Sequence, residues 1–395
     1  MEFSEFRGTD LGPRKAKIAR VMQLIPPETP EDIPVIAHVP CYFGFGNRPR
    51  PETYWQDPAV MLAFQQDGYE RHLRLVQDDV VPYFMPWFGT GILASGFGCR
   101  LCEATGNGDD PAVTEQSVHR VEDIAHLRIP NPETDGWMPR VLRFMEYGVQ
   151  HGEMPVGMTD LNSPLCTAAQ ICGYDNLFYW MYDEPDAVHD LMHMICEAFT
   201  KWVSLQREIC RETPGRSHGL QGVYTPRGGV WMSDDDLVSV NAELYEEFVL
   251  PYYQKIYREF QGGHLHWCGV GTHQLDQILK IDALTAVNNS PMGHFAVFEK
   301  LHEKLSGKVA IEVQDAAPLD PDYYYGHLFA NFSDMTGILV TTFVEDQLGM
   351  DNQGATVYTD RDPYTCANQI VQAVRKYGGA AIERGNVNGT ISPRQ

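Results

Sequence analysis

Short runs of apolar and β-branched residues alternate along the chain with longer segments in which apolar residues recur every three or four positions. The short runs predict buried strands, and the longer segments predict amphipathic helices. Eight strands are predicted, at 35–39, 79–85, 154–158, 219–224, 264–268, 283–288, 308–313 and 336–341. Helices are predicted between or after them, at 58–75, 138–151, 185–212, 242–260, 273–280, 296–305, 322–332 and 363–377.

This repeated strand-then-helix order predicts the fold class. Eight such units form either a closed α/β barrel of the (β/α)8 TIM type or a large doubly wound parallel sheet. The barrel is favoured, because eight strands close a barrel and no Gly-x-Gly-x-x-Gly motif follows the first strand. Helix ends support the pattern, since Asn241 is placed to cap one helix and Gly378-Gly379 to end the last.

The chain is expected to form one barrel domain over 31–395, preceded by an N-terminal extension over 1–30. The segment 89–137 is too long for a minimal barrel connection and predicts an elaborate loop after the second strand. Such a loop would cover the C-terminal face of the barrel, where barrel enzymes carry their active sites.

The charge and cysteine content narrow the class of protein. A formal net charge of −23 argues against nucleic acid or an anionic membrane as partner, because both would repel the chain. The first ten residues contain no apolar run typical of a secretory signal, and no stretch is long enough to predict a membrane helix. The nine cysteines show no disulfide framework, so reduced thiols and a cytoplasmic location are expected.

One predicted strand carries candidate metal ligands. In His264-Leu265-His266-Trp267-Cys268, the side chains alternate between two faces, so both histidines and the cysteine share one face. Imidazole and thiolate together suit zinc, and Gly269 allows a sharp turn at the end of the strand. The competing interpretation is ordinary packing, since cysteine is often simply buried in a core.

Several motifs resemble the uroporphyrinogen decarboxylase superfamily. They are the run LYEEFVLPYY at 244–253 followed by His266-x-Cys268-Gly269, and also DLNSPL at 160–165, GYDNL at 173–177 and DEP at 183–185. The resemblance extends from about Pro51 to Gly378 with matching order. It implies a (β/α)8 barrel, in agreement with the strand count.

The superfamily contains two chemistries, and the motifs distinguish them. True uroporphyrinogen decarboxylases carry an arginine-rich Arg-Gln-Ala-Gly-Arg segment near the N-terminus and an aspartate at the end of an early strand. Here the corresponding segment is 41–50, and the early strand ends in Phe84-Met85-Pro86-Trp87 without a carboxylate. The chain therefore resembles more closely the methylcobamide-dependent methyltransferases, which bind zinc through His-x-Cys and a distant cysteine.

The distant cysteine of that branch is missing here. It would lie in 341–346, which contains none, and Cys366 falls inside the following predicted helix. Three alternatives remain for the metal site. Glu345 or Asp346 supplies an oxygen ligand beside His266 and Cys268, His264 turns in from the same strand, or no metal binds.

Polar residues at predicted strand ends are candidates for substrate contacts or catalysis, although for each one taken alone a solvated loop or a structural hydrogen bond is the more common explanation. Arg227 is placed in a glycine-rich turn suited to anchoring a carboxylate. Trp87 belongs to an aromatic cluster that either walls a pocket for an aromatic ring or a corrin or, more commonly, packs in the core; its other members are Tyr42, Phe43, Phe45, Tyr83, Phe84 and Phe88. The other candidates are Asp160, Asn162, Tyr224, Asn288, Asn289, Glu312, Gln314 and Glu345. The run Asp234-Asp235-Asp236 is expected to be a solvated loop.

The leading hypothesis is a zinc-dependent methyltransferase that moves a methyl group between a corrinoid (cobalamin) and a small thiol or heteroatom compound. Its catalytic candidates are Glu345, Arg227 and Tyr224, and its metal ligands are His266, Cys268 and Glu345. One alternative is a decarboxylase or lyase acting on a small carboxylic acid, and another is a non-catalytic corrinoid or tetrapyrrole carrier. A corrinoid protein partner and a homodimer are both left open.

Overall fold

Six parallel strands form the central sheet of the protein, seen here in a computed structural model that describes residues 3–39, 50–104, 110–218, 223–291, 293–345 and 347–389. In spatial order they are Val35–His38, Ile338–Phe343, Ala310–Ala316, Leu284–Ser290, Gly263–Cys268 and Val230–Ser233. Each neighbouring pair is parallel, and all but a few of their residues are buried. The strands are therefore buried on both faces, and even polar residues within them, such as His264, Asn288 and Glu312, are buried.

Two irregular segments continue the sheet beyond its outer strands. On one side, Asp79 N donates to Val35 O at 2.7 Å, which places 79–84 beside the first strand. Phe84 N then donates to Pro155 O at 2.7 Å, which links that segment to 155–163. Regular strands do not form here, since Pro82, Pro86 and Pro155 have no N–H to donate to a ladder.

The second irregular segment reaches the other outer strand. Ser163 N donates to Ser233 O at 2.7 Å, and Ser233 N donates to Leu161 O at 3.0 Å. Eight chain segments therefore surround one core, six as strands and two as irregular segments held by a few hydrogen bonds. The predicted (β/α)8 TIM barrel is confirmed.

Helices follow the strands, as expected for a barrel. The longer helices are Gly12–Met22, Pro58–Leu75, Met138–His151, Pro164–Cys172, Tyr174–Asp183, Pro185–Cys210, Ala242–Phe248, Leu250–Glu259, Phe295–Leu305, Pro321–Leu328 and Pro363–Gly389. Short ones are Ile92–Gly96 and Leu275–Ile278. Asn241 caps its helix as predicted, since its side chain accepts a hydrogen bond from Leu244 N at 2.8 Å. Within the described ranges, no helix combines the length and apolar character needed to span a bilayer.

The predicted end of the last helix at Gly378-Gly379 is wrong, because this helix continues to Gly389. Packing explains these glycines instead. A Cβ on Gly378 would lie 2.4 Å from Ile33 Cδ1, and one on Gly379 would lie 2.7 Å from Pro30 Cγ. The two glycines therefore let the helix approach the segment that precedes the first strand.

The fourth predicted strand, at 219–224, falls mostly outside the described residues, and its described end does not join the central sheet. Tyr224–Thr225 pairs antiparallel with Ser217–His218 in a separate two-stranded ribbon, and residues 219–222 lie outside the described part of the chain. The strand of the central sheet at this position is Val230–Ser233. Tyr224 and Arg227 thus precede this strand and lie towards its amino-terminal end, away from the carboxyl ends where barrel sites form.

The N-terminal extension is ordered against the barrel. Its helix Gly12–Met22 buries Ile18, Val21 and Met22 in the common core. The long segment 89–137 contains the short helix Ile92–Gly96 and the paired strands Arg100–Leu101 and Val113–Glu115.

Candidate metal centre at the carboxyl ends of the strands

A cavity of about 270 Å³ opens at the carboxyl ends of the barrel strands. Residues from the ends of strands and from the loops that follow them form most of its wall. The described lining residues are Trp87, Thr90, Asp160, Ser233, Asp235, His266, Cys268, Ser290, Gln314, Asp315, Ala316, Phe343, Glu345, Met350, Gly354 and Thr356. The cavity occupies the position where TIM-barrel enzymes bind their substrates.

Three potential metal ligands converge on this cavity. Cys268 Sγ lies 3.4 Å from His266 Nε2, and Asp235 Oδ1 lies 3.6 Å from the same nitrogen. One ligand atom from each side chain lies within 4.8 Å of the others. Among the described residues, these three form the one such group of histidine, cysteine and carboxylate side chains.

Two neighbouring strands bring these residues together. His266 and Cys268 lie two residues apart on Gly263–Cys268, so their side chains share a face, as predicted. Gly269 has φ +79°, the left-handed conformation predicted for the turn after the strand. Asp235 follows the adjacent strand Val230–Ser233, and its Oδ1 accepts a hydrogen bond from Cys268 N at 2.7 Å.

The expectation that the whole run 234–236 is a solvated loop is wrong. Asp234 is fully buried and Asp236 is also buried, whereas Asp235 remains half exposed towards the cavity. Asp234 N donates to His266 O at 2.8 Å, and its side chain accepts a hydrogen bond from Ser163 Oγ at 2.8 Å. These contacts hold the loop, and with it Asp235, beside the strand of His266.

A buried hydrogen-bond chain determines the orientation of His266. Asn288 lies next to both His266 and Glu312 in the strand register. Its Nδ2 donates to Glu312 Oε2 at 2.8 Å, so its Oδ1, 2.5 Å from His266 Nδ1, must accept a hydrogen bond. His266 therefore carries its proton on Nδ1 and presents the lone pair of Nε2 to Cys268 and Asp235.

Replacing Asn288 by alanine should weaken metal binding without removing any of the three ligands. The variant removes the acceptor that fixes Nδ1 of His266 and the donor to the buried Glu312 carboxylate. Losing such a partner typically costs about 10- to 100-fold in metal affinity. Competition with a zinc-binding dye measures this change, and an unchanged affinity would contradict the orienting role of Asn288.

The electrostatics of the cavity disfavour additional negative charge. Burial, together with the nearby carboxylates Asp235 and Asp315, raises the pKa of Cys268 well above its usual value. Burial followed by the charge of Asp235 raises the pKa of Asp160 to about 8. Burial also raises the pKa of Glu345. A bound dication would instead lower the pKa of Cys268 and stabilise its thiolate.

The structure brings several predicted site residues to this cavity and separates others from it. Trp87, Asp160, Gln314 and Glu345 line it. Asn288 supports His266 from behind, and Asn162, Asn289 and Glu312 are buried away from the lining. Asp346 and the aromatic residues Tyr42, Phe43 and Phe45 lie outside the described residues.

Neither Glu345 nor His264, the two described residues predicted as a third metal ligand, belongs to the cluster. Glu345 lines the cavity but does not belong to the three-residue cluster. His264 is fully buried with its Nδ1 3.1 Å from Glu312 Oε1, so it does not turn into the cavity. The sequence pattern did not predict Asp235 as a ligand, because it predicted the preceding strand at 219–224 and not at 230–233. The signal for it is the run Ser233-Asp234-Asp235, directly after the apolar Val230-Trp231-Met232.

Tyr224 and Arg227 are not part of this cavity. Arg227 Nη1 lies 3.4 Å from the backbone oxygen of Met22 in the N-terminal extension. Tyr224 lines a different cavity, together with Lys15 and His218. Their prediction as catalytic residues depended on a strand at 219–224, and Tyr224, at the described end of that segment, pairs with His218 outside the central sheet.

Comparisons with known proteins agree with this fold. Residues 18–209 match the family model described as uroporphyrinogen decarboxylase (URO-D), a match that ends before His266 and Cys268. The solved structure of a methyltransferase from Methanosarcina mazei superposes with a TM-score of 0.65 at 13% sequence identity, covering 92% of this chain and 98% of that one. No curated protein matches the chain. Residues 18–209 thus match the uroporphyrinogen decarboxylase family, and the chain as a whole shares its fold with the methyltransferase structure.

Proposed function

We propose that this protein is a zinc-dependent methyltransferase that exchanges a methyl group between a corrinoid and a small molecule. The observation that carries the proposal is the cluster of Asp235, His266 and Cys268 at the substrate end of the barrel. The methyltransferase of known structure supports the reaction class. The resemblance to the methylcobamide-dependent branch supports the corrinoid.

The three side chains fit zinc in chemistry and in spacing. Nitrogen, sulfur and oxygen donors together are typical of catalytic zinc sites, which keep three protein ligands and one open position. With Zn–S of about 2.3 Å and Zn–N of about 2.0–2.1 Å, tetrahedral ligand atoms lie about 3.3–3.6 Å apart. The separations of 3.4 Å for Cys268 to His266 and 3.6 Å for His266 to Asp235 agree with this range.

Bound zinc would act as a Lewis acid that lowers the pKa of a thiol or polarises a methyl-bearing heteroatom. The residues of the chain then have distinct tasks. Asn288 keeps Nε2 of His266 directed at the cluster, and Trp87 with Phe343 forms an apolar wall. Glu345, whose pKa is raised by burial, is placed in the cavity to hold and release a proton. Asp235 replaces Glu345 as the proposed third ligand.

The alternatives fit the cavity less well. A decarboxylase acting on a small acid needs a cationic anchor, but none of the described lining residues is Lys or Arg. Arg227, the residue predicted for that role, lies away from the cavity. A carrier of corrinoid or tetrapyrrole would have no need for a histidine, a thiol and a carboxylate within 4.8 Å of one another.

A combined metal and activity measurement tests the proposed function. The purified protein is expected to contain one zinc ion per chain and to demethylate methylcobalamin when a suitable thiol is added, with a change in the corrinoid absorption spectrum. Removing zinc with a chelator should abolish the reaction, and adding zinc back should restore it. Full activity in a metal-free protein would contradict the proposal. A corrinoid protein partner, a homodimer and a cytoplasmic location remain predictions.

A further inference from the structure

The cavity holds more acidic side chains than the proposed zinc site uses. One zinc ion would be balanced by the Cys268 thiolate and the Asp235 carboxylate. Asp160, Asp315 and Glu345 line the same cavity in addition, and the described part of its wall contains neither Lys nor Arg. Buried carboxylates normally occur with a compensating positive partner.

Asp315 is satisfied by neutral hydrogen-bond donors within the protein, but Asp160 differs. Asp315 Oδ2 accepts hydrogen bonds from Tyr324 Oη at 2.6 Å and from Gly293 N at 2.9 Å. Asp160 is 5% exposed, and its Oδ2 has no hydrogen-bond partner among the described residues. Gln314 is 4% exposed, and its Oε1 likewise has no partner in the described part of the chain.

These two oxygens therefore offer acceptors to whatever occupies the cavity. Leaving a buried acceptor without a partner is destabilising, and more so when the group is charged. A ligand that brings positive charge and donates hydrogen bonds would remove this cost. An anionic ligand would increase it, and a neutral apolar ligand would leave Asp160 uncompensated.

Aromatic side chains complete the same wall. Trp87 is 5% exposed and lines the cavity with Phe343, which ends the strand Ile338–Phe343. Aromatic faces attract ammonium groups, and indole does so most strongly. At about 270 Å³ the cavity is also suited to a small molecule rather than to a complete corrin macrocycle.

We infer that the small-molecule substrate of this cavity is a methylated ammonium compound, with Asp160 as its counter-ion and Trp87 and Phe343 against its methyl groups. The inference rests on the proposed function, in which this compound would be the methyl donor. The C–N bond to one methyl group would break as that methyl bonds to a Co(I) corrinoid, giving methyl-Co(III), and a neutral amine would leave with the electron pair, which zinc could then accept. The inference names a substrate class, and the binding residues lie outside the three zinc ligands.

Calorimetric titration of the zinc-loaded full chain with choline and with its uncharged isostere, in which carbon replaces the quaternary nitrogen, tests the inference. The two probes have the same shape, so the difference in affinity reports the charge alone. Choline is expected to bind at least about tenfold more tightly, which corresponds to about 1.4 kcal/mol. Equal affinities, tighter binding of the isostere, or no binding of either probe would overturn the inference.

A pair of variants tests the role of Asp160. Asp160→Asn should weaken choline binding about tenfold or more and leave the isostere unchanged, because only the charged ligand loses its counter-ion. Asp183→Asn removes the same charge from an exposed helix position outside the cavity and should leave both affinities unchanged. Equal weakening by the two variants would show a general charge effect and contradict the inference. If a variant fails to fold, the comparison of choline with its isostere on the unmodified protein still tests the inference.

Failure of this inference can be distinguished from failure of the proposed function. A protein that contains zinc and demethylates methylcobalamin but does not discriminate between the probes overturns only the substrate class. A protein that prefers choline strongly but holds no zinc overturns the proposed function and leaves the cationic site intact.

Discussion

Replacing Cys268 by serine is expected to reduce zinc affinity by more than about a hundredfold, because a hydroxyl is a far poorer zinc ligand than a thiolate. Loss of a residue that only supports a ligating histidine already costs about 10- to 100-fold in affinity, so loss of a ligand should cost more. Asp235→Asn should cause a comparable loss, since it removes the charged oxygen 3.6 Å from His266 Nε2. Zinc content after dialysis against a weak chelator, measured by elemental analysis, gives the result directly.

Glu345→Gln distinguishes the two candidate third ligands. Glu345 lines the cavity without belonging to the cluster, so this variant should keep its zinc and lose methyl-transfer activity. Cys102→Ser is a matched control, because Cys102 is partly exposed and does not line the cavity. Full zinc content in Cys268→Ser would rule out the proposed centre. Loss of zinc in Glu345→Gln but not in Asp235→Asn would return Glu345 to the role of third ligand.

Trp267→Ala is expected to give the largest loss of stability among single substitutions near the site, about 3–5 kcal/mol. Trp267 is fully buried on the strand of His266 and Cys268, and its side chain faces the opposite way. A Cβ on Gly271 would lie only 2.5 Å from Trp267 Nε1, which shows how closely the chain packs around the indole. Urea unfolding followed by circular dichroism measures the change in the free energy of unfolding.

Graded variants make this second prediction specific. Trp267→Phe keeps an aromatic ring and should lose less stability than the alanine variant, because the remaining cavity is smaller. Tyr358→Ala removes an aromatic residue that is 81% exposed and should change stability by less than about 0.5 kcal/mol. A loss below about 1 kcal/mol in Trp267→Ala would contradict the assignment of this indole to the tightly packed core.

Much of the barrel could be predicted from local pattern. The strands Val35–His38 and Ala310–Ala316 begin with apolar, β-branched residues, and they overlap the predicted strands at 35–39 and 308–313. The pattern at 79–85 and 154–158 correctly predicted chain segments in the wall of the barrel. It did not predict that prolines would leave them irregular, held by a few backbone hydrogen bonds.

The errors have one common cause, which is that local composition does not report tertiary contacts. Gly378 and Gly379 resemble a helix end but serve a close helix contact with Ile33 and Pro30. The apolar run near 219–224 resembles a strand, yet Tyr224–Thr225 belongs to a small antiparallel ribbon. Because the strand was predicted to end at 224, Tyr224 and Arg227 were predicted to lie at the carboxyl end of a strand and therefore in the site.

The pair His266 and Cys268 could be predicted from the sequence alone, because residues two apart on a strand must share a face. The third member of the cluster was decided only by the tertiary structure. Asp235 comes from the loop after a different strand, and it reaches the pair because Val230–Ser233 and Gly263–Cys268 are neighbours in the sheet. Periodicity reports the faces of one element, whereas the meeting of loops at the mouth of a barrel depends on strand order and register.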